Sequence, residues 1–562
     1  MRKKLLLGLL LACCSIGVAI AQSVTITGKV TGDKGAPLAG VTVQEKNSKI
    51  ATVSDDGGVY RISVKSGATV VFTSVGYKKA EFTANGGTLN VSLKQEDASL
   101  SEVVVTSFGQ SSSKKRLSSS VVDVKADQLA QKSEPDILRA LQGKVPGVTV
   151  VGGGGAPGQS SKINIRGITS FSGNNQPLIV VDGIPFDNSV NQSAGFDANT
   201  VFSNRLYDVD PNNIESMTIL KGANAAALYG SGAQNGAIII TTKTGNTKKA
   251  RGLEVTYNSS YSIENVSNTP EYQDIYGQGS NGNYNGGFIG NWGSPFGAYR
   301  DQVNGALGYE RYTTTHSPME VPHPLTSLSY TIPRYSAAFP ELVGKMVPYQ
   351  AYDIVGGFFK QGTVSENSIN INSSTGKTGI NGGFSRMDNV GIVPNSKTER
   401  TSLSFGGNST LNNGLVITGN VNYVKNFQNS PQSGASYFAD YGPGEGFSSI
   451  YARLYYLPRN YNLNAYPFET PEGNNVFYRA LDNPYWIAKY NTFTSEVNRV
   501  FGNLSFSYDI NSKINLFARG GINTYTDHQT NYLRPGGTSI PVGRYSEADF
   551  TNETLNYTFL AT

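Results

Sequence analysis

Residues 253–264 read LEVTYNSSYSIE, and their alternation decides the fold class. Leu253, Val255, Tyr257, Tyr261 and Ile263 hold the odd positions, while Glu254, Thr256, Asn258, Ser260 and Glu264 hold the even ones. Successive side chains of a β-strand point to opposite faces, so this segment has one apolar and one polar face. A soluble sandwich hides its apolar face in a core. A membrane β-barrel turns that face to lipid and lines its lumen with the polar one. The same pattern recurs at Leu415, Ile417, Val421 and Tyr423, and again at Leu504, Phe506 and Tyr508. After a turn over Asp509 to Lys513 it resumes at Ile514, Leu516, Ala518 and Ile522. Connections alternate between short, as at Asn412-Asn413-Gly414, and very long. The stretch 427–497 is aromatic-rich, with Tyr451, Tyr455, Tyr456, Tyr461, Tyr466, Tyr478, Tyr485 and Trp486 as loop packing or as interface girdles. Residues 246–562 therefore read as part of an antiparallel transmembrane β-barrel, with the last strand at Thr554–Leu560. About eight strands are legible, whereas about twenty-two are needed to leave a lumen that a domain can plug. The reading therefore expects these strands to be a portion of a larger, truncated barrel.

The start of the chain sets the compartment. Arg2, Lys3 and Lys4 precede an apolar stretch from Leu5 to Ile20, and Ala19-Ile20-Ala21 is a small-x-small cleavage pattern. Residues 1–21 are read as a signal peptide. Leu10-Leu11-Ala12-Cys13 loosely resembles a lipobox, but it would cut after only about eight apolar residues. Both cysteines, Cys13 and Cys14, fall in the leader, which excludes disulfide and thiolate chemistry afterwards. Charged residues make up only 15% of the chain and the net charge is +5, which for an exported protein argues against a nucleic-acid partner.

Residues 22–97 read as a small β-sandwich. Val24-Thr25-Ile26, Val41-Thr42-Val43, Tyr60 to Val64, Val70-Val71-Phe72 and Leu89 to Leu93 alternate as strands between Gly, Asp and Pro turns. Asp55 and Asp56 belong to a turn and lack the spaced oxygen ligands of a calcium loop. Residues 98–120 read as a linker carrying one β-branched run, Glu102-Val103-Val104-Val105-Thr106, ahead of a serine cluster and Lys114-Lys115-Arg116. Such a strand joins a sheet of its own chain or adds to the edge of another protein's sheet. Residues 121–245 read as one α/β domain. Ser133-Glu134-Pro135-Asp136 resembles a capping box ahead of a helix bearing Ile137, Leu138 and Leu141, ended by Gly143 and Pro146. Leu178 to Val181 is a buried-strand run that stops at the Asp182-Gly183 turn. A short alanine-rich helix covers Ala223 to Tyr229, and another strand runs from Ala237 to Lys243.

In this order the segments resemble the SusC/RagA family of TonB-linked outer-membrane transporters. The leading sandwich is similar to a carboxypeptidase-regulatory-like domain, with Gly28-Lys29-Val30-Thr31 and Gly57-Gly58-Val59-Tyr60 in place. Residues Leu100 to Thr106 look like the TonB-box region. The plug signature is matched by Gly143, Pro146 and Gly147, by Arg166-Gly167, by Asp182-Gly183 within PLIVVDGIP, and by Lys221, Gly222 and Gly230 within IESMTILKGANAAALYGSGAQNGAIIITTKT. The resemblance implies TonB-dependent import of oligosaccharides or peptides across the outer membrane, with TonB pulling on residues 102–106 and a SusD-like surface lipoprotein as partner. Lipid would surround the barrel. Two alternatives stay open: a signal-transducing outer-membrane receptor, which calls for a dedicated signalling domain at the front, and a secreted or surface all-β glycan-binding adhesin.

The residues do not assemble an active site, and neither an enzyme nor a cofactor is expected. His316, His323 and His528 are read as loop residues without metal-ligand spacing. Gly152 to Lys162 is glycine-rich, but Gln159 follows Gly158 where a phosphate loop needs Lys. Asp182 and Asp187 are available as a carboxylate pair, yet Asp182 lies in a turn. It is expected to pair with Arg166, since a buried charge needs a partner.

Overall fold

The computed structural model describes residues 23–562 apart from 95–102, 106–110, 114–120, 126–133, 192–201, 246–251, 297–319, 327–334, 432–449 and a few shorter runs. The expected leader, Glu102, Thr106, Ser133 and His316 lie outside the described residues. Among the described residues no helix is long and apolar enough to cross a membrane. The chain forms two compact units, the first comprising residues up to Val104 with Ser111–Leu117, the second the remainder.

The first unit is a sandwich of two four-stranded sheets. One joins Val59–Lys65, Ser23–Gly32, Gly87–Thr88 and Val91–Leu93; the other joins Ala51–Val53, Thr42–Glu45, Thr69–Thr73 and Ala80–Thr83. Strict alternation sends Tyr60, Ile62 and Val64 inward against Val43, Val70 and Phe72. Gly28 is required where the chain crosses Leu89, because a Cβ there would lie 1.8 Å from the Leu89 carbonyl oxygen. Asp55 Oδ1 accepts from the amides of Gly57 and Val59, so this carboxylate closes the turn. Val103–Val105 forms a two-stranded sheet with Ser111–Ser113, so part of the expected linker is a strand pair. Main-chain ladders tolerate serine, which hydropathy alone reads as a spacer.

In the second unit, Val121–Lys125, Ile214–Leu220, Ala237–Thr242, Leu178–Val181 and Ile184–Pro185 form one sheet in that order. It covers its own apolar core, which includes Ile137, Leu141, Ile163, Ile179, Met217, Ile219, Ile238 and Ile240. The helix expected after residue 133 shrinks to a single turn, Arg139–Leu141. Asp136 Oδ1 accepts from the Leu138 amide, and Gly143 takes φ +76° directly after the turn, so left-handed backbone ends it early. The helix Ala223–Tyr229 is closed by Gly230 at φ +76°.

The remaining strands form one eight-stranded antiparallel wall: Gly252–Glu264, Gly362–Ser374, Thr378–Val390, Lys397–Thr410, Val416–Pro431, Thr492–Asn511, Ile514–Leu533 and Arg544–Ala561. The first and last strands do not pair with each other, so the wall is an open sheet. Its polarity is the reverse of a soluble protein's. On one face Tyr257, Ile369, Phe384, Leu403, Tyr423 and Val500 are successive register partners, and most of these rings and branched chains are exposed. On the other face Ser368, Asn370, Asn381, Asn422, Asn426, Arg499 and Asn523 are buried. Apolar-out, polar-in is the arrangement that hydrocarbon outside and a folded domain inside impose.

The outward apolar band has an upper limit. Along Ile514–Leu533 the outward positions change from Leu516, Ala518 and Ile522 to Thr524, Thr526 and His528. His528 therefore lies within a strand, opposite Asp549, and not in a loop as expected. The apolar pattern ends before the strand does, because a barrel strand continues past the hydrocarbon into water.

The long connections pack into bodies of their own. Tyr461, Tyr478 and Ile487 are buried with Ile354 and Phe358 of another connection, and Trp486 is fully buried. Most of the aromatics of 427–497 are thus loop core. His323 is buried there, its Nδ1 accepts from the Leu325 amide at 3.3 Å, and its ring lies 4.6 Å from that of Tyr466. Burial pushes its pKa down to about 4. A histidine depressed in the fold favours the folded state while neutral. That stabilisation is complete above the unfolded value and is lost as pH falls from about 6.5 to about 4. We expect this loop body to weaken by about 2 kcal/mol on going from pH 7.5 to 5. NMR titration of the ring checks this; a midpoint near 6.5 would refute it.

Candidate functional site: the interface between the α/β domain and the wall

The α/β domain meets the inner face of the wall mostly through polar groups. Of the described residues in its apolar core, only Val424 and Phe501 come from the wall. Segment 203–213, SNRLYDVDPNN, provides a large share of the polar contacts. It folds as two short turns, Arg205–Asp208 and Pro211–Asn213, the second capped by Asp210 accepting from the Asn212 amide. Proline at the first position of that turn leaves no amide to satisfy there.

A buried ionic cluster forms around this segment. Arg499 Nη1 of the wall lies 3.1 Å from Asp208 Oδ2, and Asn426 Nδ2 donates to Asp208 Oδ1 at 2.6 Å. Arg205 Nη1 lies 3.4 Å from Asp527 Oδ2, an oxygen that also accepts from Asn191 and Gln529. The Arg499 guanidinium sits 3.6 Å from the centre of the Phe186 ring. A second group lies along the same segment. Arg400 donates to the carbonyls of Pro135 and Tyr207 and approaches Glu366 at 3.4 Å, while Asn212 Nδ2 donates to Glu366 Oε1. Ser385 donates to Asp210 at 2.6 Å, and Asn213 donates to Asn422 at 2.6 Å. Arg499 with Asp208 and Arg205 with Asp527 match charge across the interface, as buried ions require, whereas Arg400 and Glu366 pair within the wall and Asp210 is met by the Ser385 hydroxyl and the Asn212 amide.

The residues singled out in the sequence divide into two groups. Lys221 Nζ donates to the Pro146 carbonyl at 2.6 Å, and the Arg166 amide donates to Gly147 O. Arg166 takes φ +60°, and its guanidinium reaches to the backbone of Gly222. Gly143, Gly147, Gly167, Gly222 and Gly230 all have positive φ, so this group shapes turns inside the domain. Asp182 and Gly183 instead face the wall. The expected Arg166–Asp182 pair does not form: Asp182 accepts from the amide and hydroxyl of Thr242 and from Asn420 Nδ2. Three neutral donors satisfy this carboxylate, while Arg166 stays exposed on a left-handed turn. Burial still raises the Asp182 pKa against these hydrogen bonds. Val103, Val104 and Val105 lie in the strand pair with Ser111–Ser113. The glycine-rich run packs its Pro157–Gly158 part on the wall, with Gln428 donating to Pro157 O.

Arg519 clasps the hairpin turn, its guanidinium donating to the carbonyls of Asp182 and Gly183. A Cβ on Gly183 would lie 1.9 Å from Arg519 Nη1, and the backbone there has φ +78°. Gly183→Val should therefore unseat this turn. We expect faster proteolysis of the α/β domain while the wall stays resistant, and unchanged cleavage would count against the clasp.

Sequence reasoning missed segment 203–213 and its wall partners Glu366, Arg400, Arg499 and Asp527. The available signal was a charge on the inward side of an alternating barrel strand, because a charge buried there demands an internal partner.

Comparison with known proteins adds to this geometry. Residues 113–237 match the TonB-dependent Receptor Plug Domain family, and residues 26–105 match the CarboxypepD_reg-like domain family. TonB-dependent receptor SusC of Bacteroides thetaiotaomicron is 38% identical over 245 residues, which cover 44% of this chain and 23% of that protein. TonB-dependent receptor P39 of Formosa agariphila is 36% identical over 273 residues, covering 48% of this chain and 24% of that protein. The alignments thus span about a quarter of these relatives' length. The RagAB peptide importer in its open-open state superposes with a TM-score of 0.57 at 22% identity, over 82% of this chain and 46% of that one, a likeness of fold.

Proposed function

Because the chain belongs to the SusC/RagA family of TonB-dependent receptors, we propose that it acts in energised import of an oligosaccharide or peptide nutrient across the outer membrane. The observation that carries this reading is the inverted wall against which a separately cored domain is held by polar contacts. The apolar outward band disfavours a dissolved adhesin, since an exposed apolar surface of that extent needs hydrocarbon or a partner.

In this reading residues 121–245 are the plug and 246–562 the barrel portion. The leader 1–21 directs export, 22–97 is the front sandwich, and 98–120 carries the TonB box at residues 102–106. TonB adds to the edge of Val103–Val105, where main-chain hydrogen bonds bear load with little dependence on side chains. Pulling on this segment loads the plug. Because most of the plug's apolar core is its own, it can leave the wall giving up only the contacts with Val424 and Phe501, and the ionic groups it uncovers are rehydrated by the lumen. A SusD-like lipoprotein would sit on the long connections and hand over substrate. No step requires a catalytic residue.

The test is uptake of labelled substrate by cells expressing the full-length protein, with and without TonB and the proton gradient. Import requires both. Undiminished uptake in the TonB-deficient strain would overturn the proposal.

A further inference from the structure

We propose that Trp292 and Tyr276 form a stacking platform for a neutral sugar ring, an assignment of substrate class that rests on the import reading above. The chain has two tryptophans. Trp486 is fully buried, whereas Trp292 is 60% exposed. The half-buried Tyr276 ring lies 5.2 Å from it, tilted by 38°, so the phenol buttresses an aromatic ledge whose exposed surface is the indole.

This ledge is built on stiff backbone. Gly279 and Gly293 press together: a Cβ on Gly279 would lie 2.8 Å from the Gly293 Cα, and one on Gly293 would lie 2.1 Å from the Gln278 carbonyl oxygen. The Trp292 amide donates to Gly279 O at 3.3 Å, the Gly282 amide donates to Trp292 O at 3.0 Å, and the Gly293 amide donates to Gly277 O at 3.0 Å. Below, Tyr349 donates to Ser294 O at 2.8 Å, and the Gln278 amide ties the segment to Asn460 at 2.7 Å. An indole held in solvent on a scaffold this ordered is preorganised to receive an apolar face.

The surroundings select the ligand. Segment 276–294, YGQGSNGNYNGGFIGNWGS, contains no Asp, Glu, Lys or Arg. Asn281, Asn283 and Asn285 are exposed beside the ledge, and Gly282 between the first two bonds to the Trp292 carbonyl. Carboxamides offer donors and acceptors without net charge, which suits hydroxyl groups at a ring's rim while its C–H face lies on the indole. A charged ligand would call for an opposite charge that this segment lacks.

The detergent-solubilised full-length protein should be run through native gels containing pullulan, laminarin, xylan or galactomannan, followed by calorimetry with the corresponding hexasaccharides. A set of neutral tri- to hexapeptides serves as the competing class. We expect retardation by at least one polysaccharide, a loss of affinity of roughly tenfold or more in Trp292→Ala, and partial recovery in Trp292→Phe. Because the ring is exposed, the melting temperature should not change. Equal affinity in Trp292→Ala and Tyr276→Ala, retardation by none of the four polysaccharides, or Trp292-dependent binding confined to peptides would each overturn the platform. Uptake in the TonB-deficient strain is scored separately, so loss of the platform and loss of the import reading give different results.

Discussion

Val104→Pro in the full-length protein should reduce energised uptake to the level of a strain lacking TonB. Val104 is the middle residue of the strand Val103–Val105, which pairs with Ser111–Ser113. Proline removes one backbone donor and fixes φ, at a cost of about 3 kcal/mol or more in a regular element. That corresponds to roughly a hundredfold loss in pairing with any added strand. Val104→Thr keeps the amide and the β-branched shape and should import normally. Barrel assembly, read by surface labelling, should be equal in both variants. If Val104→Pro imports like the parent protein, residues 102–106 are not the coupling strand.

Arg499→Ala should loosen the plug in the absence of any pull. Its guanidinium is fully buried between Asp208, Asn523 and the Phe186 ring. Removing it leaves buried Asp208 with Asn426 and only the more distant cation of Arg205, whose Nε lies 3.8 Å away, and breaking a buried pair costs about 3–5 kcal/mol. In planar bilayers we expect frequent conductance bursts, approaching the open pore produced by deleting residues 121–245. The double variant Arg499→Met, Asp208→Leu removes both charges and should close the pore again, because replacing a whole buried pair with apolar groups is often neutral. A quiet single variant, or a double variant no quieter than the single one, would show that this pair does not hold the plug. The deletion variant is informative by itself: parental conductance would remove residues 121–245 from the blocking role.

Much of this architecture is written in local patterns. The dyad of Leu253 to Ile263 is one strand, Gly252–Glu264, because a period of two needs no knowledge of the rest of the chain. Asp182-Gly183 reads as a turn because both residues tolerate left-handed backbone, and they adopt φ +50° and +78°. The alanine-rich helix Ala223–Tyr229 and its closing Gly230 follow from propensity and capping alone. The helix after residue 133 was not legible in the same way. Its apolar spacing serves burial of Ile137, Leu138 and Leu141, and one turn meets that need as well as three.

The sequence by itself determined which faces exist: alternating strands with one apolar and one polar side, an independent α/β domain, and a short β-branched run ahead of it. These are near-neighbour properties, set by residues two to four positions apart. Only the tertiary structure decided which charges are matched. Arg499 with Asp208 and Arg205 with Asp527 are separated by about 290 and 320 residues, and nothing in either local stretch names its partner. Asp182 took Thr242 and Asn420 in place of Arg166 for the same reason. A buried charge demands compensation, but which group supplies it depends on how the wall and the domain are brought together.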